Sequence, residues 1–157
     1  KHKGLRYNSH KNMLHQVTGG ISMNVKKSQI QLRTTKRQEF YEITEEIRKI
    51  AKDSGIQEGI ITVYSPHTTA GLCINENADK DVLTDLIYGL DKAFPDDEKF
   101  KHMEGNAHAH LKSINLGSTL SLILSDGLIE MGIWQGVFFC EFDGPRDRTV
   151  KIHIMGE

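Results

Sequence analysis

Runs with the pattern of β-strands outnumber runs with the pattern of helices in this chain, and they follow one another in sequence instead of alternating with helices. Asn24 to Thr35 alternates, with Val25, Ile30 and Leu32 set among Lys, Gln and Arg, as a long strand with one exposed face does. Gly59 to Tyr64 is apolar and β-branched, and Leu72 to Asn77 reads as a short return strand. Leu120 to Leu124 is a further strand, closed by a hairpin turn at Ser125-Asp126-Gly127. Val137 to Asp143 and the alternating Thr149 to Met155 complete about six or seven strands. Two segments change period. Glu39 to Asp53 repeats Phe40, Ile43, Ile47 and Ile50 or Ala51 at helical spacing and has Gly55 as a stop. Asp79 to Phe94 does the same with Val82, Leu83, Leu86, Ile87 and Leu90, with Asn77 or Asp79 as its N-cap. This order predicts a single α+β domain, with mixed, largely antiparallel sheets and two to three helices, and argues against a doubly wound parallel fold.

The stretch that concentrates chemistry is Gly105-Asn106-Ala107-His108-Ala109-His110-Leu111-Lys112-Ser113-Ile114-Asn115-Leu116-Gly117. It sets an amide, two imidazoles, an ammonium and a hydroxyl among small or apolar residues. Its spacing carries a condition. On a strand His108 and His110 point the same way, whereas on a helix they stand roughly 200° apart. The two imidazoles can share one ligand only if the backbone from 106 to 110 is extended or just turning into a helix.

Two further polar clusters stand at strand ends. His67-Thr68-Thr69 follows the Gly59–Tyr64 strand, where Pro66 keeps Ser65 extended, and rigid scaffolds commonly present working side chains at such places. Glu141 and Asp143 alternate along the strand from Val137, so both carboxylates can face one side. As a pair they suit general acid and base work or hard-cation binding, and ion pairing of Asp143 or Asp147 with Arg146 or Arg148 is the structural alternative. Arg146 has the planar fork that suits phosphate or carboxylate. His67, His108 and His110 could supply three ligands to an open metal site, or could hydrogen-bond and position an anion. Trp134 is expected in the core or at an interface, and Pro95 to Glu98 as a solvated acidic loop rather than a metal cage. No glycine-rich phosphate loop and no internal repeat occurs.

Composition excludes some partners. Residues 1–22 hold Lys1, Lys3, Arg6 and Lys11 with no acid, leaving sixteen basic against twenty-one acidic residues in the remainder. That balance disfavours nucleic acid, whose phosphates need a basic face. No apolar run approaches the roughly 18 residues of a membrane span, so no membrane partner and a cytoplasmic location are expected. Cys73 and Cys140 lie in apolar runs and are expected as buried, reduced thiols. Residues 1–22 have no periodic apolar face and are expected to be a leader outside the core, with Met23 as the natural start and 23–157 as the domain.

Four motifs carry a resemblance: Ser65-Pro66-His67-Thr68-Thr69-Ala70, Gly105-Asn106-Ala107-His108-Ala109-His110, Gly132-Ile133-Trp134-Gln135, and Glu141-Phe142-Asp143-Gly144-Pro145-Arg146. In this order, from about Met23 to the C-terminus, they resemble the YjbQ family, also called UPF0047. The chain departs from the family's Gly-Thr-Trp-Gln at Ile133, which removes a hydroxyl beside the tryptophan. The resemblance implies a compact α+β domain that assembles as a homotrimer with its sheets about a threefold axis. It also implies a weak, secondary thiamine-phosphate synthase activity, which joins a pyrimidine diphosphate to a thiazole phosphate with release of pyrophosphate. Family histidines are associated with a bound metal or anion. On that reading Glu141 and Asp143 are catalytic. Thr68, Thr69, Asn106, Ser113 and Arg146 contact the phosphorylated substrate, and His67, His108 and His110 hold a divalent metal, zinc or magnesium. The reading from another class is a trimeric metal- or anion-binding protein with no turnover of its own.

Overall fold

The computed structural model describes residues 23–157. The elements are β1 (Asn24–Arg33), β2 (Glu39–Glu42), α1 (Thr44–Ser54), β3 (Gly59–Tyr64), β4 (Ala70–Glu76), α2 (Lys80–Ala93), α3 (Ala107–Leu116), β5 (Thr119–Ser125), β6 (Leu128–Ile129), β7 (Gln135–Glu141) and β8 (Asp147–Gly156). They build two antiparallel sheets, one of five strands in the order β1-β8-β3-β5-β6 and one of three in the order β2-β7-β4. The α+β expectation holds, with three helices among the described residues. The expected leader, residues 1–22, lies outside the described residues.

The alternation seen in sequence becomes the inward face of the larger sheet. Ile61 and Val63 of β3, Leu122 and Leu124 of β5, and Val150, Ile152 and Ile154 of β8 are buried there. They pack against Leu72, Val137 and Phe139 of the smaller sheet and against Ile43, Ile47 and Ala51 beside and on α1. The smaller sheet is covered on its other face too, where Phe138, Cys140 and Phe142 meet Ala109 of α3, Phe40, and Leu83 and Leu90 of α2. Burial on both faces explains why Val137–Cys140 is an unbroken apolar run.

The predicted helix at Glu39 begins later than expected. Glu39–Glu42 is instead β2, paired with β7 from Glu39 opposite Glu141 to Glu42 opposite Phe138. The helix starts at Thr44, whose Oγ1 accepts the Val137 N–H at 2.9 Å. Phe40 fits either period, but it packs on Phe138 and Phe142 while Ile43 and Ile47 enter the other core layer, as a strand followed by a helix requires. Gly55 ends α1 with φ 74°, the left-handed conformation expected of a glycine stop. On α2 the N-cap is Asp79, accepting from Asp81 N–H at 2.9 Å.

No other described residue covers one side of the larger sheet. Across it the register aligns Val25 with Met155, Met155 with Ile60, and Ile60 with Ile123, a row of four exposed apolar side chains on four neighbouring strands. The strand residues from Val137 to Phe142 are core of the chain itself. Ile133 and Trp134 are exposed, so Trp134 is not a core residue.

Candidate ligand-binding site

The condition placed on the central stretch resolves as helical. α3 runs from Ala107 to Leu116, so His108 and His110 leave the helix about 200° apart. His108 turns inward and is buried, with its Nε2 3.0 Å from Arg37 Nη2. A guanidinium only donates, so Nε2 is the accepting nitrogen of a neutral ring and the proton sits on Nδ1. Burial lowers the His108 pKa, with the Arg37 charge adding to the effect and Asp96 opposing it. Asp96, from the expected solvated loop, stands 3.7 Å from Nδ1. His110 turns toward solvent, where its ring lies edge-on to His102 with centroids 5.1 Å apart.

His67 follows β3 and is half-buried. Its Nε2 accepts the Thr149 N–H at 2.9 Å, which again fixes a neutral ring with its proton on Nδ1. Burial lowers this pKa as well, followed by repulsion from Arg148. A neutral imidazole has one lone pair to offer, and in both His67 and His108 it is already engaged. Among the described residues no group of three or more His, Cys, Asp or Glu side chains is placed to hold a metal ion. The trio His67, His108 and His110 therefore does not form a three-ligand metal centre in this arrangement.

The carboxylates are equally occupied. Glu141 is fully buried and faces Arg148 in a two-point contact, Nε to Oε2 at 2.7 Å and Nη2 to Oε1 at 2.5 Å. Its oxygens also accept the Thr34 hydroxyl at 3.0 Å and the N–H groups of Phe142 and Asp143 at 3.1 and 2.9 Å. Arg148 donates onward to Thr69 Oγ1 at 2.9 Å, tying the His67-Thr68-Thr69 loop to the end of β7. Glu141 therefore cannot touch a ligand. Asp143 lies beyond the strand, with Oδ2 accepting from Asn106 Nδ2 at 2.9 Å and from Arg146 Nη2 at 2.6 Å. Burial alone would raise its pKa, but those two hydrogen bonds and the arginine charges hold it below the ordinary aspartate value. Glu141 and Asp143 thus act as separate ion pairs rather than as a free acid and base.

The remaining expected residues divide between structure and surface. Thr69 is buried in the Arg148 network, and Ser113 Oγ donates to the Ala70 carbonyl at 2.8 Å. Asn106 Oδ1 and His108 Nδ1 are buried with no protein partner among the described residues. Thr68, His110 and Ser113 line one cleft of about 750 Å³, together with His102 and the apolar walls Phe100 and Ile114. Sequence reasoning passed over Arg37 and His102, and it assigned no role to Lys112. Lys112 is fully buried on α3, where its Nζ donates to Gln38 Oε1 at 2.9 Å and pairs with Asp91. An ammonium amid an apolar helix face was the available signal for that pairing, because such a charge must find a partner. Nothing local marks Arg37 or His102.

The family model described as UPF0047 protein YjbQ-like matches residues 28–157. The chain belongs to the YjbQ family. The YjbQ-family protein YugU of Bacillus subtilis is 47% identical over 128 residues, 81% of this chain and 97% of that one. MJ1081 of Methanocaldococcus jannaschii is 45% identical over 127 residues, covering 81% and 92%. A YjbQ/UPF0047 crystal structure from Clostridium acetobutylicum superposes with TM-score 0.79 at 46% identity, covering 81% of this chain and 98% of that one. A YbjQ-like protein from Sulfolobus solfataricus superposes with TM-score 0.84 at 31% identity, covering 87% and 100%. YjbQ-family membership establishes the fold, while function has to be argued from the site. No helix among the described residues is long and apolar enough to cross a membrane.

Proposed function

We propose that this YjbQ-family protein is a homotrimeric binding protein for a small phosphorylated ligand, held in the cleft between Thr68 and α3 without turnover. The observation that carries this reading is the engagement of both candidate catalytic carboxylates: Glu141 is fully buried against Arg148, and Asp143 is shared by Asn106 and Arg146. A general acid or base has to reach the ligand, and neither group is free to do so. The cleft has the make-up of a binding pocket, with apolar walls and a few convergent polar groups in Thr68, His102, His110 and Ser113. Two free thiols, Cys73 and Cys140, suit a reducing compartment and support a cytoplasmic location.

Calorimetric titration with inorganic phosphate and with a simple phosphate monoester tests the reading. Thr68→Ala and His110→Ala are each expected to weaken binding about tenfold, the scale of one lost hydrogen bond to a charged group. Wild-type affinity in both variants would move the site elsewhere.

The trimer rests on the exposed row Val25, Met155, Ile60 and Ile123, which the described residues of a single chain leave uncovered. Light scattering is expected to give three times the chain mass, and Ile60→Lys is expected to shift it to one. A wild-type monomer at working concentration contradicts the assembly.

A transferase of thiamine-phosphate synthase type is the second reading, favoured by the cleft volume of about 750 Å³, which leaves room for two small substrates. Magnesium would then arrive with the diphosphate and offset its charge. Release of pyrophosphate from the pyrimidine and thiazole substrates is the deciding measurement, and binding with no release leaves the first reading.

A further inference from the structure

We infer that Cys73 and Cys140 form an intrachain dithiol that a hydroperoxide closes to a disulfide and a cellular thiol reopens. The inference does not depend on the ligand cleft, which neither residue lines. They are the only two cysteines of the sequence, and the fold brings their sulfurs to 3.4 Å across 67 residues. The register of β4 and β7 sets Gly71 opposite Cys140 and Cys73 opposite Phe138. Side chains two positions apart on a strand share a face, so Cys73 and Cys140 are diagonal neighbours on one face of the smaller sheet. A disulfide holds its sulfurs about 2.05 Å apart, so closure takes a movement of little more than an ångström. Diagonal neighbours have Cα atoms about 7–8 Å apart, whereas disulfides usually span at most about 6.8 Å. The bond therefore pulls β4 and β7 off their relaxed pairing, and strain of this kind makes a disulfide easy to reduce. Such a pair is reversible rather than a structural staple.

The two sulfurs have different surroundings, which sets the order of the chemistry. Cys73 is half-buried and Cys140 is fully buried. Burial raises the Cys140 pKa, so this sulfur stays a thiol and can donate its S–H to Cys73. That hydrogen bond lowers the Cys73 pKa, against the effect of burial. Helix α2, which covers part of this face with Leu83 and Leu90, buries none of its residues fully, and Cys73 is the sulfur that a small oxidant reaches. The Cys73 thiolate attacks one peroxide oxygen and the O–O bond breaks, giving a sulfenic acid and a hydroxide that is protonated to water. The Cys140 sulfur then attacks the Cys73 sulfur. An S–S bond forms, the S–O bond breaks, and the oxygen leaves with the Cys140 proton as a second water. Two thiols lose two electrons and two protons, and the peroxide is reduced to two waters. Reopening oxidises two thiols of a reductant such as glutathione.

The test treats the full, reduced chain with hydrogen peroxide and counts its thiols after denaturation without reductant. Both thiols are expected to disappear together, with the chain lighter by two hydrogens and still a single chain on a non-reducing gel. An excess of reduced glutathione is expected to restore both. In Cys140→Ser, dimedone is expected to trap a sulfenic acid on Cys73, and the parent is expected to give about tenfold less of that adduct because Cys140 captures the intermediate. In Cys73→Ser, the buried Cys140 is expected to react with peroxide about tenfold more slowly than Cys73 does in Cys140→Ser. Two thiols persisting in the parent at peroxide levels that oxidise free glutathione overturns the site. So does a link between chains, addition of oxygen to Cys73 without a bridge, or a disulfide that glutathione cannot reopen. These parent measurements stand even if a variant folds poorly.

Discussion

Arg148→Met is expected to cost about 3–5 kcal/mol of unfolding free energy, the range for breaking a buried ion pair from one side. The carboxylate of Glu141 would remain fully buried, and it would keep only the Thr34 hydroxyl and the two backbone N–H groups as partners. Those three bonds were enough alongside a guanidinium, but they do not replace its charge. The damage would reach the cleft beside α3, because Arg148 also holds Thr69 at 2.9 Å and so fixes the loop that carries Thr68. Urea unfolding measures the loss. The double variant Glu141→Gln with Arg148→Met is expected to recover much of it, since removing both charges leaves no bare ion in the core. A loss below about 1 kcal/mol in the single variant would mean that water reaches Glu141.

Gly156→Ala is expected to cost about 3 kcal/mol, at the upper end for an overpacked site. Gly156 of β8 faces Gly59 of β3 in the sheet register. A Cβ at Gly156 would stand 1.9 Å from the Glu58 carbonyl oxygen and 2.8 Å from the Gly59 Cα, both backbone atoms that cannot swing aside. Around the same point Glu157 N–H donates to Glu58 O at 2.9 Å and Gln57 N–H donates to Glu157 O at 2.8 Å, so the end of β8 is clamped to the turn before β3. The added methyl must break that clamp or pry the strands apart. Gly89→Ala is the control: a Cβ there meets nothing within 4 Å on α2, so stability is expected to rise by up to about 1 kcal/mol. Thermal melting of the two variants against the parent reads both signs.

What the sequence determined by itself was the local backbone and the family. Alternation at Asn24–Thr35, Thr149–Met155 and Leu120–Leu124, the glycine stop at Gly55 and the Asp79 cap each depend on neighbours a few residues away. A chain's own φ/ψ preferences and side-chain periods settle such features. Four ordered motifs were enough to identify the YjbQ resemblance, which the family match then established. Glu39–Glu42 shows where periodicity stops being informative. Phe40, Ile43 and Ile47 fit a helix, but β7 offers those first residues a strand pairing, and tertiary hydrogen bonding outweighs a weak local preference. The chemistry of the site was decided at longer range still. Whether Glu141 is an acid or a buried counter-ion depends on Arg148 and Thr34, brought to it by folding across a distance of 107 residues in the second case. Whether a histidine is free to bind depends on its one lone pair. Arg37 claims that of His108 across 71 residues and Thr149 claims that of His67 across 82, while His110 meets His102 only because the segment after α2 folds back beside α3. Spacing in sequence shows which side chains share an element, but the partner that spends a lone pair or neutralises a charge comes from another element, and only the packed structure brings the two together.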